Sequence, residues 1–255
     1  MIKKFLKPAY ITLKQQILKS RLALSPVREH AEHECVLVVA PHPDDEILGL
    51  GGYILRQMKK GAQVYVVFLT DGEHSLPDLD PETVARERVK ISESVLSELS
   101  IPAENVFRLH LQDGHLPRKG MRGFTEVLDT LSGLVKSLKP GAVFVTHPLE
   151  TWPYDHVAAF ELAEAAAADV CGVSLYGYWV WLSYSLPIKR YRAIDWKNTS
   201  RIPVGNEMTS KKKFMKAYLE PTASNGMPWS GNLPRSMLKI FAYPYEVVTF
   251  FQAGR

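Results

Sequence analysis

The sequence predicts a three-layer α/β sandwich, a mainly parallel sheet with helices on both faces. Three observations carry this. Short apolar, β-branched runs recur along the chain. Amphipathic helical patterns stand between them, so the chain reads as βαβ units. The 255 residues are 46% hydrophobic and 23% charged, an ordinary globular composition long enough for a sizeable core.

Residues 36–40, "VLVVA", form the first buried strand. Residues 47–60 follow with helical spacing at Ile47, Leu50, Ile54 and Met58, and Gly61 ends them. The second strand is 62–70, "AQVYVVFLT", and a charged amphipathic helix spans 81–100. Residues 106–111 give the third strand, and 123–138 a helix that "KPG" stops. The fourth strand is 142–146, "AVFVT"; an alanine-rich helix at 156–169 and a fifth strand at 173–181 complete the series. The rhythm is then lost. Residues 183–255 are rich in Pro, Tyr, Trp and Lys, with one helix near 211–219 and a strand-like "EVVTFF". They are expected to elaborate the domain formed by 31–255 and to cover a pocket; a small second domain is the alternative.

Residues 1–28 carry seven Lys/Arg and no acid, whereas the remainder carries 24 basic and 27 acidic residues. The basic pI therefore reports this arm, and the body offers no nucleic-acid surface. The arm, residues 1–30, is expected to be helical from Pro8, with Leu6, Tyr10, Leu13, Ile17 and Leu24 on one face. Two readings stand: an extra helix packed on the domain, or peripheral contact with a membrane. Lysines interrupt each of its apolar runs, which argues against a secretion signal or a spanning helix. Cys35 and Cys171 are expected to be buried free thiols, as in a reducing cytoplasm. The expected location is thus cytoplasmic, with peripheral contact at the inner membrane face through residues 1–28.

The chemistry concentrates at strand ends. "CVLVVAPHPDDEILGLGG" places His42, Asp44, Asp45 and Glu46 just beyond the first strand. Gly49, Gly51 and Gly52 come after this acidic knot and inside the helix, so they suit close packing rather than a dinucleotide turn. The fourth strand ends in "THPLETWPYDH", with His147, Glu150, Asp155 and His156. In the strand order 3-2-1-4-5, strands one and four are neighbours at the switch point, and the two clusters meet beyond their carboxyl ends. Two histidines and a carboxylate suit a divalent metal with an open position. The alternative is a helix-capping cluster with His42 as a loop residue.

"APHPDDEILGLGG" resembles the A-H-P-D-D-E signature of the PIG-L (LmbE-like) zinc-dependent de-N-acetylases. "FLTDGEHS", "RVKISESVLSELSI", "LHLQDGHL" and "HPLETWPYDHVAAF" resemble later segments of that family in the same order, from about 36 to 167. The resemblance implies a Rossmann-like fold and removal of the N-acetyl group from an N-acetylglucosamine-type amino sugar, carried as a glycoside, glycolipid or polysaccharide precursor. It implies Zn2+, or Fe2+ or another divalent ion, held by His42, Asp45 and His156, with Asp44 as general base. Arg88, with Arg86 as its alternative, and Asp113 would contact the sugar or order the site. Glu46 would support the helix start, and Glu73 its loop, with a substrate contact open to Glu73. The chain departs from the family where relatives read H-P-D-H: here stand Pro153, Tyr154, Asp155 and His156. The acid histidine is missing, and His147, Tyr154 and Asp44 itself are the candidates to protonate the leaving amine. Two of these have structural alternatives, His147 as a loop residue and Tyr154 as a rim residue. The rival functions are hydrolysis of another N-acyl bond and a non-catalytic, metal-containing binding protein.

Overall fold

Successive residues of the first strand enter two different cores. Val36, Val38 and Ala40 pack with residues of the helices that follow the first and second strands, whereas Leu37 and Val39 pack with residues of the two helices on the other face. The structure is a computed structural model and describes residues 2–28 and 33–252, with side chains from Tyr10 onward. Among these, seven strands form one sheet: β1 (Cys35–Ala40), β2 (Gln63–Thr70), β3 (Val106–Leu111), β4 (Ala142–Thr146), β5 (Ser174–Tyr178), β6 (Thr199–Pro203) and β7 (Tyr245–Phe251). The order is β3-β2-β1-β4-β5-β7-β6. The first five strands are parallel, in the expected order, and β7 lies antiparallel between β5 and β6.

The helices are α1 (Ile2–Leu24), α2 (Asp45–Lys59), α3 (Pro81–Glu98), α4 (Phe124–Leu138), α5 (Tyr154–Ala168), α6 (Leu182–Ser185), α7 (Met208–Leu219) and α8 (Arg235–Phe241). The start of α3 has a local cause. Asp80 accepts from the Thr83 N–H at 2.9 Å and Pro81 opens α3. The glycines of α2 do pack closely: a Cβ at Gly49 would stand 2.3 Å from the Tyr178 ring, and one at Gly52 2.7 Å from Val204.

Residues 183–255 extend the same sheet. Extra strands and one helix are expected there and are present as β6, β7 and α7; α6, α8 and a 3-10 turn at Ile188–Ala193 are additional. β6 reads "TSRIP", too polar and Pro-ended to stand out.

Two expectations are corrected. α1 begins ahead of Pro8, and it packs through Leu18 and Leu22 on Trp179, Leu182 and Tyr191. Lys14 is buried beside them because its ammonium donates to the Tyr184 carbonyl. Of the single apolar face expected, Tyr10, Leu13 and Leu24 are exposed, Ile17 packs against the edge of the cluster, and the Leu6 side chain lies outside the described residues. Cys171 is exposed rather than buried, because it sits in the turn after α5; Cys35 is half-buried, and both are free.

Candidate metal centre

The site stands where β1 and β4 lie side by side and their following segments diverge. Asp44 caps α2 with φ 120°, a conformation costly for a residue with a Cβ. Its N–H donates to Glu46 Oε2 at 3.0 Å, and the Tyr218 hydroxyl donates to Glu46 Oε1 at 2.5 Å. Glu46 therefore supports the strained turn, as expected, and α7 supports Glu46.

Asp45 Oδ2 lies 3.2 Å from His42 Nδ1 and 3.3 Å from His156 Nε2. His156 Nε2 is buried and outside hydrogen-bonding geometry with any partner among the described residues. Its Nδ1 lies 2.6 Å from Glu150 Oε2, while Glu150 Oε1 accepts from the Val180 and Leu182 N–H groups. The other nitrogen of His42 faces Asp113 Oδ1 at 3.1 Å and Asp155 Oδ2 at 3.3 Å. Asp155 is fixed in turn by the N–H groups of Gly114 and Leu116. Each imidazole thus turns one nitrogen inward and binds a carboxylate with the other, the arrangement that fixes a ligand's tautomer. Three ligand atoms, from His42, Asp45 and His156, lie within 4.8 Å of one another. With one buried nitrogen orphaned, this donor set fits a divalent ion.

The electrostatics agree. Burial alone would lower the His42 imidazole, but Asp113, Asp155 and Asp45 outweigh it and raise it well above the ordinary value. Burial likewise opposes His156, and Asp45 and Glu150 carry it up to about 9. Burial pushes the Asp44 carboxyl up to about 7 against the pull of Arg88, and Glu46 to about 8 despite the Tyr218 bond. The cluster is an excess of buried negative charge, which a cation would neutralise.

Arg88 is brought to the site and Arg86 is not. Arg88 Nη2 donates to the Pro43 carbonyl at 2.6 Å and lies 3.4 Å from Asp44 Oδ2. Its Nη1 donates to the Trp229 carbonyl at 3.3 Å, whereas Arg86 is exposed and bonds Thr83. Gly72 makes room: a Cβ there would meet the guanidinium at 2.6 Å, and its φ is +68°. Glu73 accepts from the Asp113 N–H at 2.7 Å and so holds the loop that presents Asp113 to His42. His74 donates its own N–H to Asp113 Oδ2 at 2.9 Å.

Neither candidate acid is aimed at this cluster. His147 Nδ1 accepts from the Leu149 N–H at 3.1 Å, and its ring stands edge-on to Trp179 and Phe251. Burial pushes it down to about 3, and its Nε2 is buried without a hydrogen-bond partner among the described residues. The Tyr154 hydroxyl reaches Met121 Sδ at 3.3 Å, on the rim. Glu150 and Tyr218 have supporting roles that the sequence does not assign: the spacing of Glu150 from His156 is a signal for the first, and no signal marks the second.

Comparison with protein families matches residues 37–167 to PIG-L, GlcNAc-PI de-N-acetylase. The chain belongs to the PIG-L family. A curated relative, the diacetylchitobiose deacetylase of Thermococcus kodakarensis, is 30% identical over 123 residues, 47% of this chain and 42% of that protein. The chain thus spans less than half the length of that relative. Among solved structures, N,N'-diacetylchitobiose deacetylase from Pyrococcus horikoshii in complex with its inhibitor MPG superposes with a TM-score of 0.63 at 20% identity, over 97% of this chain and 93% of that one. The zinc-inhibited form of teicoplanin deacetylase Orf2 gives 0.61 at 15% identity, over 85% and 97%. At such identities these two likenesses bear on the PIG-L fold.

Proposed function

We propose that this PIG-L protein is a metal-dependent de-N-acetylase of N-acetylglucosamine-type sugars, in glycoside, glycolipid or polysaccharide-precursor form. One observation carries the proposal: the triad of His42, Asp45 and His156, its Asp45 and His156 buried and one nitrogen orphaned, stands beside a carboxylate, Asp44, left outside the triad. The deacetylase named in the curated relative supports the substrate class. Zinc is the proposed ion, and Fe2+ suits the same donor set. When bound, a divalent ion there would acidify a water and polarise the amide carbonyl.

The chain's own residues do the rest. Asp44 takes the proton of the attacking water, and Arg88 fixes Asp44 through the Pro43 carbonyl and its own guanidinium. Glu150 and the Asp113–Asp155 pair hold the two imidazoles in orientation. With His147 turned to aromatic rings and Tyr154 to Met121, Asp44 also returns the proton to the departing amine. No helix among the described residues is long and apolar enough to cross a membrane. Free cysteines fit the proposed cytoplasmic location.

The test is free-amine release from N,N'-diacetylchitobiose and simple N-acetylglucosaminides by Zn2+- or Fe2+-loaded protein, with Asp44→Asn as control. Turnover that Asp44→Asn abolishes is expected. Absence of amine from every acetamido sugar with either ion sinks the proposal. Release confined to other N-acyl groups would move the activity to a different amide.

A further inference from the structure

We propose that the outer face of α1 and the two segments flanking it form a docking surface for an anionic lipid bilayer. This surface is independent of the reaction proposed above. Because α1 packs through Leu18 and Leu22, it turns Tyr10, Leu13 and Leu24 outward, 45%, 51% and 83% exposed. Cations border this apolar edge on both sides. On one flank the Ile188 N–H meets the Tyr10 hydroxyl and the Tyr191 hydroxyl donates to the Lys14 carbonyl, so the turn Ile188–Ala193 runs along the helix. That turn exposes Lys189, Arg190 and Arg192. On the other flank Gln15 donates to the Ser236 carbonyl and Lys19 lies 5.6 Å over the Tyr243 ring, which brings up α8 with exposed Arg235 and Lys239.

None of these five flanking cations has a carboxylate partner among the described residues. The acid nearest in sequence, Asp195, is occupied by the N–H and side-chain amide of Asn198. The sequence composition has the same sign: residues 1–28 and 183–255 together hold 19 of the 31 basic and 4 of the 27 acidic residues, which favours attraction to a negative surface.

Apolar side chains set among the cations favour lipid over a soluble polyanion, which has no hydrocarbon in which to bury Leu13 and Leu24. A chain of contacts also links α1 to the loop before His156. Trp152, 57% exposed in the loop before His156, packs edge-on against Trp181 at 4.6 Å. Trp181 packs on Tyr184, whose carbonyl takes the Lys14 ammonium.

The test is co-sedimentation of the full chain with vesicles of phosphatidylcholine alone and with phosphatidylglycerol added, at low and high salt. Binding to the anionic vesicles alone, weakened by salt, is expected. Neutralising Lys189, Arg190 and Arg192 to Gln should weaken it about a hundredfold, and Arg235→Gln with Lys239→Gln about thirtyfold. Leu13→Ser with Leu24→Ser should remove the part that resists salt. The circular-dichroism spectrum of each variant confirms folding. Wild-type protein left in the supernatant with both vesicles overturns the proposal. So does equal binding to neutral vesicles, unchanged binding by both charge variants, or capture by heparin that the vesicles do not share.

Discussion

Helix α2 is held by buried charge at two places, and the two differ in whether the charge closes. At its middle, Glu246 accepts from the N–H groups of Gly52 and Tyr53 and from the Lys211 ammonium, at 2.7–2.9 Å. Lys211 also donates to the Leu48 carbonyl at 3.0 Å. One anion meets one cation, and each charged group has several partners. At the N-terminus five carboxylates (Asp44, Asp45, Asp113, Glu150 and Asp155) face two imidazoles and Arg88, and His156 Nε2 is left over. A closed cluster holds the fold together; an open one is kept for something that arrives from outside.

Substitutions can break that contrast. The largest effect is expected at Asp44→Asn. It should lower kcat by about 10²–10⁴ while metal content and the unfolding midpoint stay near wild type. Lys211→Met should do the reverse. It leaves Glu246 buried without its cation and should cost about 3–5 kcal/mol in urea unfolding, with activity per folded molecule retained. A smaller effect is expected at Glu150→Gln, which weakens the grip on His156 and should lower metal affinity about 10–100-fold in a chelator competition. If Lys211→Met lowers metal affinity as much, the two clusters are not separate.

The smallest effect concerns His147. Held at about 3 against an ordinary 6.5, it stays neutral in the fold while the unfolded chain takes up a proton. Its contribution is complete above pH 6.5 and is lost at about 1.4 kcal/mol per pH unit below that. His147→Asn keeps an acceptor for the Leu149 N–H and should flatten the stability profile between pH 6.5 and 5. An unchanged profile with lost activity would return His147 to the catalytic candidates.

The first five strands and the helices between them were legible because period and length change together at each boundary, as from "AQVYVVFLT" to the helix at Pro81. The triad was legible because its residues sit at the ends of β1 and β4, which the strand order makes neighbours. Arg88 could not be separated from Arg86 by spacing; the facing of α3 decides it, burying Arg88 and exposing Arg86. The support from residues 183–255 was not legible at all. In "MTSKKKFMKAYL" the buried Lys211 looks like the exposed Lys212 beside it, and only its partner Glu246, 35 residues away, distinguishes it.

The long reach of α1 has a consequence for the order of assembly. Lys14 bonds a residue 170 positions later, and Gln15 one 221 positions later. During vectorial synthesis this helix leaves the ribosome well before the surface that receives Leu18 and Leu22, whose Trp179, Leu182 and Tyr191 follow more than 150 residues later. In the interval its whole apolar girth is open. A chaperone, or the lipid surface proposed above, would meet the nascent chain before the rest of the protein does.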